Sequence, residues 1–158
     1  MKVAIFKKKD GGINLGRICD INGNIAYKGD IEAHLQSVVE GNEDFISYRI
    51  ADTSNLPGGG GYNYDPTFFE AFTDDLEGEQ IDIDLEKAKL LKAHPARRKL
   101  RSENFKPVDG DTPYAALSPD GEALRKSIKN KDDQLQIDID SAVDEKELRD
   151  VMINGGLL

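Results

Sequence analysis

DIDLEKAKLLKAHPARRKLRSENFKPVD, residues 82–109, is a basic, helix-forming island in an acidic chain. Eight of the 21 lysines and arginines fall in it (Lys87, Lys89, Lys92, Arg97, Arg98, Lys99, Arg101 and Lys106), against four acids from Asp84 onward. Asp84 can cap a helix and place a negative charge at its positive end. Residues 85–92 are nearly all good helix formers. The apolar stripe is narrow: Leu90, Ala93, Ala96 or Arg97, and Leu100. Such a stripe suits a helix resting on a surface better than one sunk in a core. Pro95 lacks a backbone donor and crowds the carbonyl of Leu91, a cost of ~3 kcal/mol inside a helix. Either the helix kinks there, or it stops near Ala93 and restarts with Pro95 in its first turn; the break is the favoured expectation.

Upstream, the pattern is one of short strands and turns. Val3, Ala4, Ile5 and Phe6 read as a first strand, and Gly11-Gly12 as a turn. Residues 15–20 and 24–28 flank Ile21-Asn22-Gly23, and Asn-Gly between β-capable runs predicts a type I′ hairpin. Asp30 can cap a helix over 31–40, whose Ile31, Leu35, Val38 and Val39 share one face. Gly41-Asn42 would end it. Residues 45–51, with Ile46, Tyr48 and Ile50, alternate as a further strand. Residues 1–57 are therefore expected to form a small α+β domain of strand, hairpin, helix and strand. Its apolar content is thin, so homo-oligomerisation or docking would relieve it.

Residues 58–79 read as a glycine-rich hinge, starting with Gly58-Gly59-Gly60-Gly61, followed by the aromatics Tyr62, Tyr64, Phe68, Phe69 and Phe72. With Asp65 as cap and Pro66 in the first turn, a short helix would put Phe68 and Phe72 on one face. That face either closes the small core or serves as a partner-binding patch. Residues 80–158 read as a mostly helical, loop-rich region. A loop is expected over 105–119, then a helix to about Lys131 with Leu124 and Ile128 inward. QLQIDID, residues 134–140, alternates as an extended segment. Asp144 and Glu147 form a capping box for a last helix to Ile153, closed by Gly155-Gly156.

Composition narrows the function classes. The chain has 158 residues, 38% hydrophobic and 32% charged, with a net charge of −9. This balance argues against a general nucleic-acid or membrane-surface binder. No apolar run approaches the ~20 residues of a membrane span. The first residues, MKVAIFKKKD, hold too short an apolar run for a signal peptide, which predicts a cytosol-like compartment. Cys19 is the only cysteine, so no intrachain disulfide can form. Cys19 with two histidines, His34 and His94, makes no zinc set of usual spacing, and nothing around Cys19 and His34 supports a nucleophile–base pair. Asp82/Asp84 and Asp138/Asp140 would share a face on strands and could hold a hard cation. Each pair completes no calcium loop and directly precedes a helical run, so solvated carboxylates and caps are expected. The glycine run lacks the Lys-Ser/Thr of a phosphate loop. No catalytic, cofactor-binding or metal-binding set is expected.

One resemblance gives the helical region a client. The segment 81–111, followed by Ala123-Leu124-Arg125-Lys126-Ser127-Ile128-Lys129, Asp132-Asp133-Gln134-Leu135 and residues 139–148 (IDSAVDEKEL), resembles bacteriophage tail-fibre assembly proteins and related small tail proteins. Their pattern is an acidic lead-in, a helix containing Lys-Ala, an Arg/Lys-rich segment, a second helix with an arginine, and a terminal helix ending in Glu-Leu. Pro95 and the insertion at 113–119 depart from it. The resemblance implies a non-enzymatic protein that helps a trimeric tail fibre fold, assemble or attach, in the host cytoplasm, and that either leaves or stays in the virion tail. It implies the fibre, or neighbouring tail and baseplate subunits, as partners. The aromatic segment (Tyr62, Tyr64, Phe68, Phe69, Phe72) and a helix face (Leu90, Leu91, Leu100, Phe105) would hold the partner. Arg97, Arg98 and Arg101 would pair with its acidic surface. The alternative is a receptor- or ligand-binding tail-tip module exposing the loop 58–64.

Overall fold

The computed structural model describes residues 1–19, 27, 29–58, 65–74, 80–109 and 119–158. The chain is α+β and forms two compact units, Met1–Asp84 and Leu85–Leu158.

The first unit is built on strand β1 (Lys2–Lys8), which lies between β2 (Ile13–Arg17) and β3 (Phe45–Asp52) in an antiparallel sheet. Val3, Ala4, Ile5 and Phe6 are all buried. A central strand covered on both faces needs such a continuous apolar run instead of alternation. Helix α1 (Ile31–Glu40) covers one face, where Leu35 packs with Ala4, Phe6, Ile18 and Cys19. Ile31, Val38 and Val39 flank that core, as their spacing predicts. The Asp30 carboxylate accepts from the Ala33 amide at 3.2 Å, and Gly41 closes the helix.

The register puts Arg49 opposite Ile5 and Ala51 opposite Val3, on the other face of the sheet. There Arg49 donates through Nε (2.8 Å) and Nη2 (2.9 Å) to the two carboxylate oxygens of Asp74. That fork fixes the segment following β3. Phe68, Ala71, Phe72 and Ile81 are buried, β4 (Phe72–Thr73) pairs with β5 (Asp82–Ile83), and the Asn55 carbonyl accepts from Ile81 N at 2.7 Å.

Two expectations change here, and a third falls outside the described residues. The unit does not end at residue 57: the described part of 58–79 belongs to it, because Phe68 and Phe72 supply the apolar cover that strands β1–β3 lack. No α-helix starts at Pro66. Asp65 accepts from Thr67 N at 2.8 Å, and a 3₁₀ turn, Phe69–Ala71, leads into β4. Only six residues, 66–71, precede the strand at Phe72, which leaves no room for a stable helix. The hairpin of β1 and β2 turns at Gly11, with φ +81°, while the expected hairpin at Ile21-Asn22-Gly23 lies outside the described residues, as do residues 59–64 with Tyr62 and Tyr64.

The second unit opens with one uninterrupted helical run: α2 (Leu85–Ala88), a π turn (Lys89–Ala93) and α3 (His94–Asp109). The expected break at Pro95 does not occur. His94 N donates to the carbonyl of Lys89, five residues back, and both Ala88 (φ −62°, ψ −43°) and His94 (φ −64°, ψ −40°) are right-handed helical. The π turn shifts the hydrogen-bond register just before the residue that cannot donate, so the ring's defect falls in a turn already widened by one residue. α3 also runs through Pro107 to Asp109, where a loop from 105 was expected.

Helix α4 (Pro119–Ser141) spans the expected helix and the whole of QLQIDID. The alternation there misleads: Ile139 is wholly buried, but Ile137 is 56% exposed, as on a helix and not a strand. The side chains of Ile128, Asp132, Leu135, Ile139 and Ala142 step along one face at three- and four-residue intervals. α5 (Glu145–Asn154) has the expected ends. Asp144 Oδ1 accepts from Glu147 N at 2.8 Å, and Glu147 reaches back to Val143 N at 3.1 Å. Leu157 N donates to Met152 O and Gly156 N to Ile153 O around Gly156 at φ +69°, a Schellman closure. Ala88, Ala93, Val108, Ile139, Ala142, Leu148 and Met152 are buried in this unit. Among the described residues no helix is long and apolar enough to cross a membrane.

Candidate functional site

Within the second unit, α3, α4 and α5 leave an open-sided groove of about 790 Å³. Leu100 and Val108 from α3, Leu124, Ile128 and Leu135 from α4, and Val151 from α5 give it an apolar floor. Gly155 brings the end of α5 close: a Cβ there would stand 2.6 Å from Leu135 Cδ1. Volume and lining fall in the range of sites that take a ligand or a few partner side chains.

Charge is gathered at one part of the wall. Asp132, 6% exposed, accepts from Arg97 Nη1 at 2.6 Å and from Arg101 Nη1 at 3.0 Å. The two arginines lie four residues apart, one helical turn, so both reach the same carboxylate. Arg101 also lies over the Phe105 ring, 5.7 Å from its centroid. Arg97 is itself 8% exposed, and its Nε, closed to solvent, has no hydrogen-bond partner among the described residues. A buried N–H without an acceptor is costly and uncommon. Lys131 and Asp138 also line the groove, so its charged side chains (Arg97, Arg101, Lys131, Asp132, Asp138) sum to one positive charge in a chain of net −9.

The expected contact residues separate into groups. Phe68 and Phe72 are core residues, 2% and 0% exposed, and are withdrawn from any partner surface. Phe69 is half-buried, its ring edge-on to Phe72 at 5.5 Å. Arg97 and Arg101 both pair with this chain's own Asp132, whereas Arg98 is exposed. Leu90 and Leu91 are exposed, 63% and 40%, outside the buried stripe. Leu100 and Phe105 are half-buried, and Leu100 lines the groove.

The remaining titratable candidates are spoken for structurally. Cys19 sits in the sheet–helix core, and His34 stacks on Tyr27 at 4.6 Å. Asp138 accepts from Gln134 at 2.8 Å, and Asp140 lies 3.1 Å from His94. On helix α4 these two carboxylates point about 200° apart, so they form no joint cation site. Among the described residues no group of three or more His, Cys, Asp or Glu could hold a metal ion.

Asp132 and the floor residues Val108, Leu135 and Val151 escaped the sequence reading. Their signal was present: once residues 119–141 are read as one helix, Ile128, Asp132, Leu135 and Ile139 form a single stripe with one acid in it. No family model, curated protein or solved structure matches this chain.

Proposed function

We propose that this chain is a non-enzymatic binding protein that assists the folding, assembly or attachment of a phage tail fibre, seating part of that partner in the groove of its helical unit. The observation that supports docking is the groove itself: an apolar floor open to solvent in a unit whose core is otherwise closed by Ile139, Leu148 and Met152. The fibre as client rests on the sequence resemblance carried by residues 81–111 and 123–148. Leu124 is half exposed on the groove wall, so Leu124→Asp should remove docking without unfolding α4.

Co-expression with a tail-fibre polypeptide tests the reading. Co-purification with the fibre, lost in Leu124→Asp, is the expected result. Co-purification that survives the substitution would remove the groove. Host-cell binding by the purified chain, with no fibre retained, would replace the reading by that of a receptor-binding tip module. Mass spectrometry of purified virions then separates a retained component from a dissociating assistant.

A further inference from the structure

The strongest unassigned feature is the free edge of the first unit's sheet. We infer that β3 accepts an extended, lysine-bearing peptide as a fourth strand, whose backbone pairs with the outward groups of Tyr48 and Ile50 and whose lysines meet the acids of α1. This surface is independent of the groove in the second unit.

The register decides which backbone groups face outward. β3 stands at the end of the strand order β2-β1-β3. Thr53 N donates to Met1 O at 2.8 Å, at the head of the ladder that pairs Val3 with Ala51, Ile5 with Arg49 and Lys7 with Ser47. Antiparallel ladders alternate bonded and non-bonded pairs, so Ser47, Arg49 and Ala51 turn their N–H and C=O toward β1. Tyr48 and Ile50 therefore turn theirs away from it. The other side of β1 agrees: Lys8 N donates to Gly12 O, which gives the even residues of β1 to β2. An outward row of this kind is a template for strand addition. β3, FISYRIAD, has no proline, glycine or lysine to blunt it, and the register shift at Lys7/Lys8 bends only its Phe45 end. Ile46, 51% exposed, adds an apolar side chain at that end.

Charge selects the strand. Residues 29–48 hold five acids (Asp30, Glu32, Glu40, Glu43 and Asp44) and no lysine or arginine. Tyr48 Oη donates to Glu32 Oε2 at 2.6 Å, which puts the acidic helix over the edge strand itself. The first unit has 16 acids against 7 lysines and arginines, so it carries the whole net charge of −9, while the second balances 14 against 14. Two such units repel at long range, which opposes β3-to-β3 pairing of copies; a strand with lysines is attracted to the same edge. Residues of an added strand that sit opposite Tyr48 and Ile50 share their face, the α1 side, so every second position of the peptide suits lysine.

The probe is a fluorescein-labelled peptide of eight alternating lysines and valines, titrated into the full chain by anisotropy. One twin is N-methylated at its lysines, which keeps the charge and removes the N–H groups that would face Tyr48 and Ile50. A second twin carries glutamate for lysine. The expected result is saturable binding that falls with added salt and is weakened about tenfold or more in either twin. Hydrogen exchange supplies the signature of strand addition: the peptide should slow the amides of Tyr48 and Ile50, while those of Arg49 and Ala51, already bonded to β1, keep their rates. Absence of binding, or undiminished binding of either twin, overturns the inference. So does protection confined to α3 and α4, which would place the peptide in the groove. Protection of Tyr48 and Ile50 that grows with the concentration of the chain alone would assign the edge to a second copy and overturn it as well.

Discussion

Each unit buries one aspartate against arginine, and the two clamps are built for different ends. In the first unit Arg49 grips both oxygens of Asp74 in a bidentate fork, across 25 residues of sequence. Asp74 is fully buried and the pair closes the face of the sheet. In the second unit Asp132 is divided between Arg97 and Arg101, which come from one helix, with one N–H to each oxygen. The first arrangement balances charge and seals a surface. The second carries surplus charge and borders an open groove. A buried ion pair is thus no indicator of function by itself.

The largest effect should come from the staple. Arg49→Leu leaves the Asp74 carboxylate buried without its fork and should cost roughly 3 kcal/mol in urea unfolding. The double variant Arg49→Leu/Asp74→Leu should recover much of the loss, since an apolar pair avoids the desolvated charge. Equal losses in the single and double variants would show that the fork stabilises beyond its geometry.

Arg97→Leu should cost less, about 1–2 kcal/mol, because Arg101 remains on Asp132. If it matched Arg49→Leu, the two clamps would be equivalent and the contrast would fail. Hydrogen exchange sharpens this: amides of α3 and α4 should open in Arg97→Leu while those of β1 and β3 keep their protection.

Next comes Gly156→Ala. At φ +69° with nothing near its missing Cβ, the penalty is backbone strain alone, about 1 kcal/mol. Its effect should be confined to the end of α5 and leave the first unit's exchange unchanged.

The smallest effect concerns the first unit and depends on pH. The Asp52 carboxyl is held below the ordinary aspartate range, chiefly by the Ser54 backbone N–H, then by the Met1 amine and the Ser54 hydroxyl. A depressed folded value means stability present above the unfolded pKa and lost as pH falls through the folded one. Asp52→Asn should therefore lower the melting temperature slightly at neutral pH, and the difference should vanish in acid. A difference that persists in acid would mean that packing, not charge, is being measured.

Helix ends and amphipathic faces were legible in the sequence. Asp30 and Asp144 cap, Gly41 and Gly156 close, and Leu35 faces inward because each signal is local and needs no partner. Residues whose state is decided at a distance misled. QLQIDID alternates like a strand, but continuity with α4 and the burial of Ile139 override the pattern. Phe68 and Phe72 read either as closing the small core or as a partner patch, and their burial decides for the core. Arg97 read as a cation for a partner because Asp132 lies 35 residues away. In the candidate site, the basic residues could be seen in advance, while the carboxylate that engages them and the groove beside it required the fold.

The π turn at Lys89–Ala93 has a consequence for how the helix tolerates change in length. It stores one residue more than an α-helix of the same rise, and in an α-helix each residue turns the chain by about 100°. Deleting Leu91 would let the run close into regular α-helix, at the cost of facing Pro95 with an ordinary register. Ala88 would then precede the present Ala93 by four positions, the ordinary α-helical repeat, and both would stay on the buried side. The spare residue acts as a phase setting: it allows Ala88 and Ala93 to be interior together, five positions apart, in a helix whose natural repeat would part them.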